Sequence, residues 1–182
     1  MIAFSGRGIL LDIEGTTSSI AFVTQTLFAY ARRELSCFLA AHWDEPAVTA
    51  AREQMAWDAD SASFAAFCAR TPGLNALEAL RREVERLMDA DAKLPGLKQL
   101  QGLIWRGGYQ SGVLKSHLFR DVPPALAAWA ARGLDIRIYS SEVVNFSIFA
   151  AISRREGIPA PVRQARVECR LALAKPANSP QT

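Results

Sequence analysis

What this chain lacks narrows its classes first. No apolar run approaches the ~20 residues of a membrane span, so none is expected. Residues 1–9 hold one arginine and no long apolar stretch, so no secretory signal is expected either. Cysteine is scarce: Cys37, Cys68 and Cys169 stand far apart and are odd in number. They offer neither a zinc-ligand spacing nor a disulfide framework, which suits a reducing cytoplasm. Aspartate is missing altogether after Asp135.

What is present fits one domain, or one domain with a small insertion. The chain has 182 residues, of which 50% are hydrophobic and 21% charged, so it can bury a core and is not a disordered tail. The net charge of +3 is unevenly placed. Residues 1–141 carry fifteen acids and fifteen bases, whereas residues 142–182 carry three acids and six bases. A basic tail can bind nucleic acid. This one has no compact Lys/Arg cluster interleaved with aromatics, which argues against that partner.

The chain begins as α/β. Gly8 to Leu11 is an apolar run followed at once by acids and small residues, the pattern of a buried strand that ends in a polar loop. Thr17, Ser18 and Ser19 are candidate N-caps for a helix over about 20–42. Phe22, Leu27, Tyr30, Ala31, Leu35, Phe38 and Leu39 are its apolar positions. Four further helices are predicted near 46–57, 61–70, 74–91 and 95–106, separated by Asp44-Glu45-Pro46, Pro72-Gly73 and Pro95-Gly96. In 74–91, Glu78/Arg82 is an attractive i,i+4 pair and Arg82/Arg86 a repulsive one. Residues 20–118 therefore read as one helical block. Val122-Pro123-Pro124 then opens a helix that Gly133 ends, and 134–139 alternates as a strand leading into Ser140-Ser141. Trp57, Trp105, Trp129 and the phenylalanines are most simply core residues.

Asp12 and Glu14 lie one residue apart just past the first strand. If strand geometry persisted, both side chains would face the same way. A carboxylate at a strand end can bind Mg²⁺ or act as a nucleophile, and a neighbouring carboxyl can serve as general acid or base. Gly15 permits the tight turn such a site needs. A solvated acid pair is the bland alternative, and D-x-E alone is common enough to favour it.

The longer strings change that balance. LLDIEGTTSSIAFV, from Leu10, resembles the first motif of the haloacid dehalogenase-like (HAD) phosphohydrolases, and within them the enolase-phosphatase E1, or acireductone synthase, family. Phe28 to Arg32 resembles that family's first cap helix. Leu97 to Leu126 resembles its long second signature, and Ile138 to Ser141 its second-motif strand. The resemblance covers residues 8–141. It implies a HAD-like Rossmannoid core with an incomplete sheet and a helical cap insertion: residues 1–19 and 119–141 as core, 20–118 as cap, 142–182 as a divergent basic tail.

By the same resemblance, Asp12 is the nucleophile and a Mg²⁺ ligand. Glu14 is the acid and base, with its carbonyl on the metal. Ser140 and Ser141 bind the phosphate. The implied substrate is the small phosphorylated diketone 2,3-diketo-5-methylthiopentyl-1-phosphate of methionine salvage, first enolised and then dephosphorylated in the cytoplasm. A monomer is compatible with the sequence. Lys115 and His117 fall in the cap signature, but a lone Lys or His on such a segment is ordinarily structural or solvated. His42, at a helix end, is explained by a contact with the helix dipole.

After Ser141 the resemblance stops. The family's third-motif lysine and fourth-motif aspartate are not identifiable, and Lys175, near the end, has no regular context. Beyond a helix near 142–156 the tail is rich in Pro, Arg and Ala without periodicity. The expectation is a truncated or frame-shifted relative of doubtful activity. Its alternative function, from another class, is a catalytically dead member whose helical cap is an interaction module.

Overall fold

The computed structural model describes residues 6–115 and 117–139, together with the backbone of 162–165. Three parallel strands form one sheet in the order β1-β2-β3: β1 (Gly8–Asp12), β2 (Asp135–Tyr139) and β3 (Val162–Ala165). The β1–β2 register runs from Gly8 opposite Asp135 to Asp12 opposite Tyr139. The β2–β3 register runs from Ile136 opposite Val162 to Tyr139 opposite Ala165. The third strand lies in the segment the sequence reads as aperiodic. Four residues of mixed polarity are too few to display a period of two.

Between β1 and β2 the chain is helical. The stretch predicted as one helix over 20–42 is α1 (Ile20–Phe22), a π-helical segment (Val23–Phe28) and α2 (Ala29–His42). Then come α3 (Pro46–Asp58), α4 (Phe64–Ala69), α5 (Ala76–Asp89) and α6 (Pro95–Gln110). Their starts follow local chemistry. Ser63 Oγ accepts the Ala66 amide at 3.2 Å and Asn75 Oδ1 the Glu78 amide at 2.9 Å. Each such cap satisfies an orphan donor, and its loss typically costs ~1 kcal/mol. Pro46 and Pro95 occupy first-turn positions where no intrahelical donor is needed. Last is α7 (Val122–Ala131), after which Gly133 takes a φ of +71°.

Two apolar clusters result. The larger joins nineteen buried residues between Leu27 and Leu114, among them Leu35, Leu39, Leu80, Leu100 and Ile104. The smaller joins Val122 and Leu126 of α7 to Ile136 and Ile138 of β2, with Leu11 and Ile13 packed against them. Each fully buried leucine or isoleucine contributes roughly 1.5–3 kcal/mol of transfer free energy. β1 is not the buried strand its composition predicts. Its residues alternate between exposed and half-buried, and Leu10 is 57% exposed. Among the described residues its apolar contacts lie on one face only, with Leu11 against the smaller cluster. Trp57 is likewise 58% exposed rather than core, whereas Trp105 is buried. Among the described residues no helix is long and apolar enough to cross a membrane.

Candidate active site

The site begins where β1 stops. Asp12 is the last strand residue, and its Oδ1 accepts the Ile13 amide at 2.7 Å. The chain then folds back on itself. The Ile13 carbonyl accepts the Thr17 and Ser18 amides at 3.0 and 2.9 Å, and the Gly15 amide donates to the Ser18 carbonyl at 2.8 Å. Gly15 makes this turn with φ +74°, in the left-handed region that favours glycine. Thr17 and Ser18 are buried, and the Thr17 hydroxyl also donates to Ile13 O at 3.2 Å. Ser19 is the residue that caps α1, its Oγ accepting the Ala21 amide at 3.1 Å.

Strand geometry therefore ends before Glu14, and the same-face argument does not carry the two carboxylates. What unites them is position: both are exposed at the carboxyl end of a parallel strand. In open α/β sheets this is where ligands bind. Ser140 and Ser141, predicted to hold phosphate, follow directly on Tyr139, the register partner of Asp12, but lie outside the described residues, as does Lys175.

His117 is placed beside the loop. Its Nδ1 accepts the Ser19 amide at 3.3 Å and lies 3.5 Å from Ser18 Oγ. That bond requires the Nδ1 lone pair. The ring stacks on Phe22 at 5.8 Å and meets the edge of Phe119 at 5.3 Å. Two residues on, the Phe119 amide donates to Thr17 O at 3.1 Å. The two chain crossings between sheet and helices are thus fastened together, and His117 is structural in these contacts. Lys115 is exposed. His42 makes a local pair, Nδ1 to Glu45 Oε1 at 2.6 Å.

Glu14 also lines a cavity of about 550 Å³ whose other walls come from helices, with Phe28, Met88, Leu97, Gln101 and Trp105, and from the loop before α6, with Asp91 and Lys93. The Trp105 indole donates to the Leu27 carbonyl of the π segment at 2.8 Å and stacks on Phe28 at 5.9 Å, which fixes that wall. Arg32 borders the cavity and is paired with Asp89. Sequence reasoning passes over Gln101. The signal for it is its place in the apolar stripe Leu97, Leu100, Gln101, Ile104, Trp105, where a polar side chain is out of pattern.

As metal donors, Asp12 and Glu14 bring carboxylate oxygens, and the Glu14 carbonyl accepts no hydrogen bond among the described residues. These are the hard oxygen ligands that Mg²⁺ takes, in a number that suits an ion retaining several waters. Among the described residues no three His, Cys, Asp or Glu side chains converge as a metal site.

No family model matches the chain. Known proteins do. It is 41% identical over 133 residues to the enolase-phosphatase E1 of Drosophila erecta, covering 73% of this chain and 52% of that one. The enolase-phosphatase E1 of Acidiphilium cryptum is 45% identical over 133 residues, covering 73% and 50%. A protein of Physcomitrium patens named probable bifunctional methylthioribulose-1-phosphate dehydratase/enolase-phosphatase E1 is 41% identical over 146 residues, covering 76% and 29%. Among solved structures, the UTR4 protein (unknown transcript 4) of Saccharomyces cerevisiae superposes with a TM-score of 0.56 at 28% identity, covering 78% of this chain and 55% of that one. The chain spans about half the length of the first two relatives. Over some three quarters of its own length, the chain is similar to proteins named enolase-phosphatase E1.

Proposed function

We propose that this chain carries the phosphoryl-transfer site of a cytoplasmic acireductone synthase, a Mg²⁺-dependent HAD-like phosphohydrolase acting on 2,3-diketo-5-methylthiopentyl-1-phosphate. The observation that carries the reading is the pair of carboxylates at the carboxyl end of β1, with Glu14 on the wall of a cavity of about 550 Å³. In this arrangement residues 1–19 and 119–141 form the core and 20–118 the cap that excludes water. Residues 142–182 are the divergent basic tail, from which Val162–Ala165 joins the sheet as β3.

Each residue then has a chemical task. Asp12 Oδ1 is engaged by the Ile13 amide, so Oδ2 attacks phosphorus. The ester P–O bond breaks as an aspartyl-phosphate forms, and Glu14 gives its proton to the leaving oxygen. Glu14 then takes a proton from the water that hydrolyses the aspartyl-phosphate. Ser140 and Ser141 hydrogen-bond the phosphate without adding negative charge. When bound, Mg²⁺ supplies charge neutralisation at the phosphate and polarises an oxygen during enolisation.

No aspartate follows Asp135 in these 182 residues, so the family's fourth-motif metal carboxylate is not identifiable among them. Mg²⁺ binding should be weak and turnover small, because a loss of ~1.4 kcal/mol in transition-state stabilisation is already tenfold. The test is phosphate release and enediol absorbance with the diketo phosphate. The chain as it stands should turn over slowly. The same chain joined after Ser141 to a relative's C-terminal segment should turn over strongly. In that joined protein Asp12→Asn should abolish release, and Glu14→Gln should accumulate aspartyl-phosphate. Undiminished release by Asp12→Asn rejects the reading.

A further inference from the structure

The bond between Ser19 and His117 differs in kind from those around it. The loop after β1 is otherwise held by backbone groups, which do not titrate. The Ser18 amide donates to Ile13 O at 2.9 Å, the Gly15 amide donates to Ser18 O at 2.8 Å, and the Phe119 amide reaches Thr17 O at 3.1 Å. The Ser19 amide instead donates to an imidazole, 3.3 Å from His117 Nδ1. Only a neutral ring with its proton on Nε2 can accept there. Phe22 stacks on the ring at 5.8 Å and Phe119 meets it at right angles at 5.3 Å, which holds it in place. A proton taken up at Nδ1 sets N–H against N–H. The Ser18 hydroxyl, 3.5 Å away, can receive the new donor, but the Ser19 amide is left without its acceptor. The charged groups on the elements around the ring are Asp12 and Glu14 on the β1 side and Lys115, Arg120 and Asp121 on its own segment; α1 carries none. Among the described residues none of these pairs with the imidazole.

We propose that His117 is a positioning residue for the loop that carries Glu14: as a neutral imidazole it holds the Ser19 amide, and protonation at Nδ1 releases it. Ser19 is where that loop passes into α1, its Oγ capping the helix. Glu14 and Ser18 pair as an isolated parallel bridge, so movement of the Ser18–Ser19 step carries Glu14 with it. The contacts of His117 are structural, but what they fix is the placing of a carboxylate. The Phe119–Thr17 bond persists when His117 lets go, so the release is local. This deepens the phosphatase reading and rests on it only for the task of Glu14. The hold on Ser19 needs neither substrate nor metal.

Amide hydrogen exchange, followed by NMR on the full chain without Mg²⁺ or substrate, tests this. Protection relative to an unstructured chain is measured at about pH 7.5 and about pH 5, either side of the range in which histidines change charge. Protection of the Ser19 amide should fall roughly three- to tenfold at the lower pH, the worth of one neutral hydrogen bond, and that of Gly15 should fall with it. The Phe119 amide should keep its protection and so report an intact fold. His117→Asn puts an oxygen where Nδ1 stood, and that oxygen takes up no proton in this range. Ser19 should then be equally protected at both pH values. His117→Phe keeps a ring between Phe22 and Phe119 without an acceptor, and Ser19 should be weakly protected at both. Equal Ser19 protection in the wild type at the two pH values overturns the proposal. So does a fall with pH that persists in His117→Asn, or a Gly15 amide that stays protected when Ser19 does not. If the exchange pattern is found but the chain joined to a relative's C-terminal segment releases no phosphate, the phosphatase reading fails and the hold of His117 on the loop stands.

Discussion

Glu78 is the carboxylate most altered by its neighbours. It accepts from Arg81 at 2.7 Å and from Arg82 at 3.2 Å, and these hydrogen bonds lower its pKa to about 2. An unfolded chain restores a value near ~4.3. Between those two values the unfolded state holds more protons than the folded one, so stability is present above the upper value and is lost as pH falls toward the lower. Urea unfolding at pH 5 and pH 2.5 should therefore show a larger acid loss for the wild type than for Glu78→Gln. Equal losses would show that the arginines contribute nothing to folding through this group. The i,i+4 attraction of Glu78 and Arg82 was legible in the sequence. The stronger partner, Arg81 at i+3, was not singled out. Nor was the way Arg86 resolves its repulsion from Arg82, by pairing with Glu83 at 2.7 Å. Residue spacing fixes which charges are within reach, but rotamers decide which of them meet.

The contact between α3 and α6 is decided by a glycine. A Cβ built on Gly96 would lie 2.6 Å from the Met55 amide nitrogen and 2.8 Å from its Cα. Both are backbone atoms, so neither yields as a side-chain tip would. Asp58 Oδ2 accepts the Gly96 amide at 2.7 Å and clamps the two helices at that point. Gly107, in the same helix, would meet nothing within 4 Å. Helix propensity alone favours Ala over Gly by about 1 kcal/mol. Gly107→Ala should thus raise the urea midpoint. Gly96→Ala should lower it, because overpacking by about 1–3 kcal/mol outweighs the propensity gain. A higher midpoint for Gly96→Ala would mean the helices separate without cost. The helices themselves were readable from capping residues and Pro-Gly breaks. The π segment was not, because apolar residues from Phe22 to Leu39 fit a 3.6-residue period well enough to hide the irregular turns. β3 escaped for want of length. Of the candidate site, the place of Asp12 and Glu14 at the end of the first strand was legible from the strand-to-loop switch, whereas their roles rest on the resemblance of the longer string.

All nineteen buried residues of the larger cluster fall between Leu27 and Leu114, and none belongs to a strand. A core so closed within one stretch of chain should not need the sheet. Residues 20–118 expressed alone should give a helical circular dichroism spectrum and a cooperative thermal transition. A non-cooperative melt would show that the sheet is required for the helices to pack. The two ends of that stretch meet where the Phe119 amide reaches Thr17 O and Ser19 reaches His117. A segment that leaves and returns at one point behaves as a cassette. It can be exchanged, enlarged or replaced without altering the order of the strands, because its entry and exit are fixed by the same few backbone contacts.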